Sequence, residues 1–201
     1  MFQRILPALR RFRHREDGLV SVEAALSLPL LLIVFAVSYT LFDLFRQEAV
    51  NSKATYTIAD LISRETTALN DDYIDSIYAL SQAMIRSDTE ISMRVSVVRW
   101  DEDTDAYYVD WSVERGDEMD VWTDDTVSGI ADKLPIMPDE ERVIVVETWN
   151  VVEPVFAVNI GTQNMYNLVF TRPRFASQVA YEGSVISDGP AHDDEVDDAI
   201  L

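Results

Sequence analysis

From Ala24 to Phe42 the chain carries no charged side chain, and that run, AALSLPLLLIVFAVSYTLF, restricts what the rest of it can be. Counted from Leu19, with Glu23 as its one charge, the stretch is 24 residues long. As a helix it would measure roughly 36 Å at about 1.5 Å per residue. The hydrocarbon core of a bilayer is about 30 Å thick, so the run is long enough to cross with some tilt. A helix buried in a water-soluble core rarely stays uncharged for about five turns. A single membrane span is therefore expected over residues 19–42.

The flanks give the orientation. Arg4, Arg10, Arg11, Arg13 and Arg15 precede the span, whereas Asp43, Arg46, Gln47 and Glu48 follow it. Lys and Arg are retained on the cytoplasmic side, which places the N-terminus in the cytoplasm and everything after about Phe42 outside it. A cleaved secretory signal also pairs a basic segment with an apolar one. Its apolar region is usually about 7–15 residues long and closes on a small-x-small site, and neither holds here. The expected location is the inner (cytoplasmic) membrane, single-pass, with the C-terminal domain periplasmic.

Charge is segregated along the chain. It has 16 basic and 36 acidic residues overall, but after Gly18 the balance is 11 against 34. Such a field repels nucleic acid and anionic headgroups and attracts cations or basic partners; it also keeps an exported domain soluble. There is no cysteine, so that domain has to be held by its own core.

Beyond the span, Val50, Ala54, Ile58, Leu61, Ile62, Ala68 and Leu69 recur at helical spacings, which predicts a stalk helix over residues 46–69. Asn70, Asp71 and Asp72 read as a break and an N-cap. A second amphipathic helix follows, with Tyr73, Ile74, Ile77, Leu80, Met84 and Ile85 on one side and Asp75, Ser76 and Gln82 on the other. Near Glu90 the period drops to two. Ile91, Met93, Val95 and Val97 alternate with polar residues, as do Tyr107, Val109, Trp111 and Val113, with DEDTD as a hairpin loop between them. Residues 114–141 are acidic and irregular, with a short helix near Val127 to Lys133. Val143 to Val152 is apolar on both faces and suits a central strand. A last strand is expected through Phe175, Val179 and Tyr181, after Pro173. The expected fold class is α+β: a long N-terminal transmembrane and stalk helix, a second helix and an antiparallel sheet of about four strands. The divisions are 1–18 (basic leader), 19–42 (span), 43–89 (stalk and second helix), 90–185 (β-rich domain) and 186–201 (a disordered acidic tail).

Residues for catalysis are scarce. His14 and His192 lie in the leader and the tail, which leaves the exported core without Ser-His-Asp, Cys-His or His-based zinc sets. No phosphate-binding glycine loop, HExxH or GxSxG pattern occurs. Carboxylates remain. Asp101, Asp103 and Asp105 alternate as ligands of a hard cation would. The EF-hand pattern fails, however, because Ala106 stands where the turn needs Gly and Ser112 where the bidentate Glu belongs. The weak metal candidate is thus read mainly as a solvated hairpin tip, and no glycosidase-type carboxylate pair stands out. No catalytic residue and no cofactor are assigned.

The cytoplasmic end of the span is more specific. Gly18 separates the charged leader from LVSVE, and Glu23 is the fifth residue after it. A carboxylate at the centre of a membrane helix costs about 2.5–3.5 kcal/mol. Glu23 lies nearer the interface, where it is tolerated or calls for a cationic partner.

Taken together, RFRHREDGLVSVEAALSLPLLLIVFAVSYTLF resembles a class III, type IV prepilin-like leader and helix, and more narrowly the TadE-like pilus-assembly family. Those proteins are similar to minor pilins, or pseudopilins, of tight-adherence (Flp-type) pili. VIVVETWNVVEPVF followed by FTRPRFASQVAY is similar to that family's closing strands and Arg-rich turn. The resemblance implies cleavage by a prepilin peptidase between Gly18 and Leu19, removal of the leader arginines, and neutralisation of the freed Leu19 amine by Glu23. It implies as partners other pilins and pseudopilins, the assembly platform, the prepilin peptidase and the inner membrane, with no nucleic acid. Ala24 stands where major Flp-type pilins usually carry an aromatic residue, which points to a minor component. The alternative is an uncleaved bitopic protein whose acidic periplasmic domain binds a ligand, cation or partner.

Overall fold

The computed structural model describes residues 19–85, 87, 90–156 and 159–184. The expected leader and its Gly18, and the expected acidic tail over 186–201, lie outside the described residues. The chain divides into two compact units. One takes in the chain up to Phe45 together with Pro154–Gly161, and the other Arg46–Glu153 with the chain from Thr162.

Helix α1 is described over Leu19–Ser63 and is unbroken through that range. Its start is long and apolar enough to cross a membrane, and Leu26, Leu30, Leu31 and Ile33 are exposed there. Pro29 lies inside this helix. A proline costs an interior hydrogen bond but is tolerated in apolar helices of this kind. The Thr40 hydroxyl donates to the Ala36 carbonyl at 2.9 Å, which satisfies a polar group among apolar neighbours.

In the second unit the character of α1 changes. Ile58, Ala59 and Ile62 are buried against a four-stranded sheet, and Ala54 packs with Ile85 and Ile91. Two polar residues on the same stripe are buried with them and are paired. Asn51 donates to the Asn150 side chain at 2.7 Å, and the Thr55 and Thr148 hydroxyls meet at 2.8 Å. The helix stops at Ser63, six residues short of the stalk end expected at Leu69. Arg64 and Glu65 close it with amide bonds to the carbonyls of Leu61 and Ile62. The apolar spacing had suggested continuation because Leu69 is buried, but Leu69 is buried as a short parallel bridge to Tyr181, while Ala68 is exposed.

Helix α2, Asp71–Met84, starts where the sequence predicts. The Asn70 side chain accepts from the Tyr73 amide at 2.9 Å, and Ile74 and Ile77 face the core. Asp71 accepts from the Tyr181 hydroxyl and from Arg115, both at 2.7 Å, and these bonds hold its carboxyl below the usual carboxylate range.

The strands β1 (Ser92–Asp101), β2 (Ala106–Arg115), β3 (Arg142–Val152) and β4 (Gln163–Thr171) form one antiparallel sheet in the order β2-β1-β3-β4. The fold is α+β, as expected. One face of the sheet, with Met93, Val95, Val97, Ile144 and Val146, packs on the helices. The other, with Val98, Val143 and Val145, is covered by the 116–141 segment, whose 3-10 helix Val127–Lys133 supplies Val127 and Ile130. Burial on both faces explains the near-continuous apolar sequence of β3. At the bend after β2, Gly116 has φ +96 and its backbone lies close to Ser92 and Ile91, a place where a Cβ would collide.

The last strand is a correction. It runs over Gln163–Thr171, whereas the stretch expected to form it, through Phe175 and Val179, is not a strand. Phe175 is 69% exposed, and Pro173 has no amide to donate to a ladder. The segment instead docks on the core through the Trp111 indole, which donates to the Val179 carbonyl at 2.7 Å and stacks on Tyr181.

Candidate functional site

The most built-up polar arrangement lies on the sheet face covered by the 116–141 segment. Arg94 on β1 and Glu147 on β3 are register partners. Both side chains are buried, and their pairing is bidentate: Nε to Oε2 and Nη2 to Oε1, each 2.7 Å. The fork of the guanidinium suits this geometry. Glu147 also accepts from the Trp122 indole at 2.6 Å and from the Tyr166 hydroxyl at 2.5 Å. Each carboxylate oxygen thus receives two donors. Arg94 spends a further hydrogen bond on the Asp120 carbonyl, and its guanidinium lies 3.9 Å from the Trp122 ring centre. Burial, and then the bond to Glu147, push the Tyr166 phenol up from its ordinary value.

Arg94 lines an open cleft of about 360 Å³, with Glu147 fully buried behind it. Its walls are Trp122 from the covering segment, Trp149 from β3 and Tyr166 from β4, and the last two are directly opposite in the ladder. Met119 and Val121 add apolar surface, and Glu118 and Asp120 line the cleft as well. The Lys133 ammonium sits 4.9 Å from the Tyr166 ring centre. One carboxylate thus anchors aromatic walls from two separate elements, so the cleft is held in shape before anything enters it. Arg94 is already hydrogen-bonded, which favours an apolar or cationic occupant over an anion.

A second charged group of residues lies on the helix-facing side of the sheet. Asp110 accepts from Arg142 Nε at 2.7 Å and faces Arg99 Nε at 3.8 Å, while Arg99 also donates to Glu140. Burial raises the Asp110 carboxyl above its usual value, against the pull of both arginines. Two arginines and two carboxylates balance there, and Glu140 reaches solvent. This is a structural ion-pair network in the sheet.

The sequence-predicted sites are placed as follows. Leu19 is the first described residue of α1. Glu23 follows one helical turn later and is exposed, roughly 6 Å along the axis from Leu19. Asp101, Asp103 and Asp105 do not form a metal cage; among the described residues no group of three or more His, Cys, Asp or Glu is placed to hold a metal ion. Asp101 instead accepts the Thr104 amide at 3.0 Å, a bond that keeps its carboxyl below the usual range, and Asp105 takes a positive φ to close the hairpin.

Arg94 and Glu147 were missed from sequence. A signal was there, because Glu147 is the one charge inside VIVVETWNVV, and a charge in a strand buried on both faces needs a partner. No family model, curated protein or solved structure matches the chain.

Proposed function

We propose that this chain is a membrane-anchored, pseudopilin-like component of tight-adherence pilus assembly, processed by a prepilin peptidase between Gly18 and Leu19. The observation that carries the reading is α1 itself. A single helix, described over the 45 residues Leu19–Ser63, exposes apolar side chains along its first part and is buried in an α+β domain along its last. Such a helix can leave a bilayer and enter a helical bundle sideways without unfolding the domain at its other end. In the reading, the N-terminus is cytoplasmic, the domain is periplasmic, and other pilins, pseudopilins and the assembly platform are the partners.

Glu23 then has a defined task. Cleavage leaves a charged amine on Leu19, one turn from the Glu23 carboxylate, and in a bundle free of water such an amine is tolerated mainly when paired. Glu23→Ala should leave synthesis and membrane insertion unchanged but cut the number of surface filaments by at least about tenfold, the effect of about 1.4 kcal/mol. Filaments at wild-type number, counted by electron microscopy in the producing bacterium, would refute the role.

The cleft favours a second reading, an uncleaved bitopic protein whose acidic domain holds a basic partner. Its aromatic walls and acidic lining suit a Lys or Arg side chain. Tryptophan fluorescence of the full chain in nonionic detergent should then respond to an alternating Lys-Thr peptide and not to its Glu-Thr counterpart. Equal responses, or none, exclude this reading.

A further inference from the structure

The connection between β3 and β4 runs from residue 153 to 162, longer than the two to five residues that join most hairpin strands. Its sequence, EPVFAVNIGT, has one charge, Glu153 at its start, and no Lys or Arg. Its Pro154–Gly161 part belongs to the same compact unit as the start of α1. The Phe156 ring meets Tyr39 of α1 edge-on, with centres 5.6 Å apart, and Tyr39 in turn lies 6.3 Å from Phe35. Val155 is nevertheless 56% exposed and Phe156 39%. Two large apolar side chains in a loop are costly to leave in water, at about 25 cal/mol per Å².

The depth of this contact follows from α1. Between Glu23 and Asp43, the charges that bound the apolar run, the helix rises about 30 Å, the thickness of the hydrocarbon core. Tyr39 therefore lies about 6 Å inside the boundary marked by Asp43. From there its hydroxyl can reach toward the interface, where tyrosine is enriched. A ring in contact with Tyr39 is at that level too.

We propose that the start of the β3–β4 connection is a second membrane contact, with Val155 and Phe156 seated in the interfacial layer of the bilayer that α1 crosses. This rests on the membrane span of the reading above and is independent of cleavage or filament assembly. The contact is apolar, since the segment offers no cation to anionic headgroups. It needs no particular lipid and is insensitive to salt. Together with α1 it makes a two-point attachment, which restricts rotation of the chain about the helix axis.

The absence of cysteine makes the test direct. A nitroxide is attached to Val155→Cys in the full chain, reconstituted in phosphatidylcholine vesicles, and its accessibility to oxygen and to a water-soluble nickel chelate is measured. Leu32→Cys, within the apolar run, and Ile136→Cys, at a residue 98% exposed in the other unit, serve as references. The expected result is that the Val155 label favours oxygen, as Leu32 does, at both low and high salt. A further Phe156→Asp change is expected to move it toward the nickel-accessible behaviour of Ile136. Should Leu32 be in lipid while Val155 matches Ile136, the loop contact is overturned and the span stands. Should Leu32 itself be in water, the membrane reading falls and the loop contact with it. A Val155 label shielded from both reagents only at high protein-to-lipid ratio would assign the patch to a second copy of the chain and overturn the lipid contact.

Discussion

Glu147→Ala is expected to destabilise the domain by about 3–5 kcal/mol, because it leaves the Arg94 guanidinium buried without its counter-charge. The loss extends beyond the pair. Trp122 and Tyr166 also lose the carboxylate that accepts from both, a smaller cost because both line the open cleft and water can take its place. Folded domains are stable by only about 5–15 kcal/mol, so the variant loses a large part of that margin. Replacing both partners, Arg94→Met with Glu147→Leu, should recover part of the loss, since apolar pairs often substitute well for buried ion pairs. Recovery stays incomplete because the indole and phenol still lack the carboxylate. Urea denaturation of the full chain in nonionic detergent, followed by tryptophan fluorescence, checks both. A Glu147→Ala midpoint equal to that of the parent would show that the pair contributes little to stability.

A fragment that begins at Arg64 should fail to fold, whereas one beginning at Arg46 should fold and remain soluble. The second compact unit starts at Arg46, and the α1 residues between these points include the fully buried Ile58 and Ile62 and the buried Ala54 and Ala59. Burying one isoleucine contributes about 1.5–3 kcal/mol. Removing two, with two alanines and the partners of Asn150 and Thr148, strips stabilisation comparable to the whole of a typical domain's margin. Sheet surface at Val95, Val97, Ile144 and Val146 would also be laid open. Near-ultraviolet circular dichroism separates the two fragments. A cooperative unfolding transition in the shorter one would mean that α1 is appended to the domain and not part of its core.

How far the chain could be read in advance depended on how each residue is buried. Where apolar side chains repeat at a clean period, as in α1, α2, β1, β2 and β3, the elements were legible, including Asn70 as a cap and the short helix at Val127–Lys133. β4 was not. Asn164 and Asn167 interrupt its alternation, and Tyr166 and Phe170 are apolar yet exposed on its outer strand. The end of α1 was overrun because burial of Leu69 by a bridge to Tyr181 looks, in sequence, like one more turn of helix. Of the cleft, only the anomaly of Glu147 within an apolar strand was visible. Its partners come from β1, β4 and the 116–141 segment, and no local pattern announces a contact made across fifty residues. The polar stripe of Asn51 and Thr55 was hidden for a similar reason, since each is buried by pairing with a polar residue of β3 and not by being apolar.

The proposed assembly role turns on what happens at Gly18. The decisive measurement is the intact mass and N-terminal sequence of the chain purified from membranes of cells that also make a prepilin peptidase, with a Gly18→Leu variant alongside. The pseudopilin reading predicts a parent chain beginning at Leu19 and a variant that keeps Met1. A parent chain that retains its leader beside an active peptidase would contradict it.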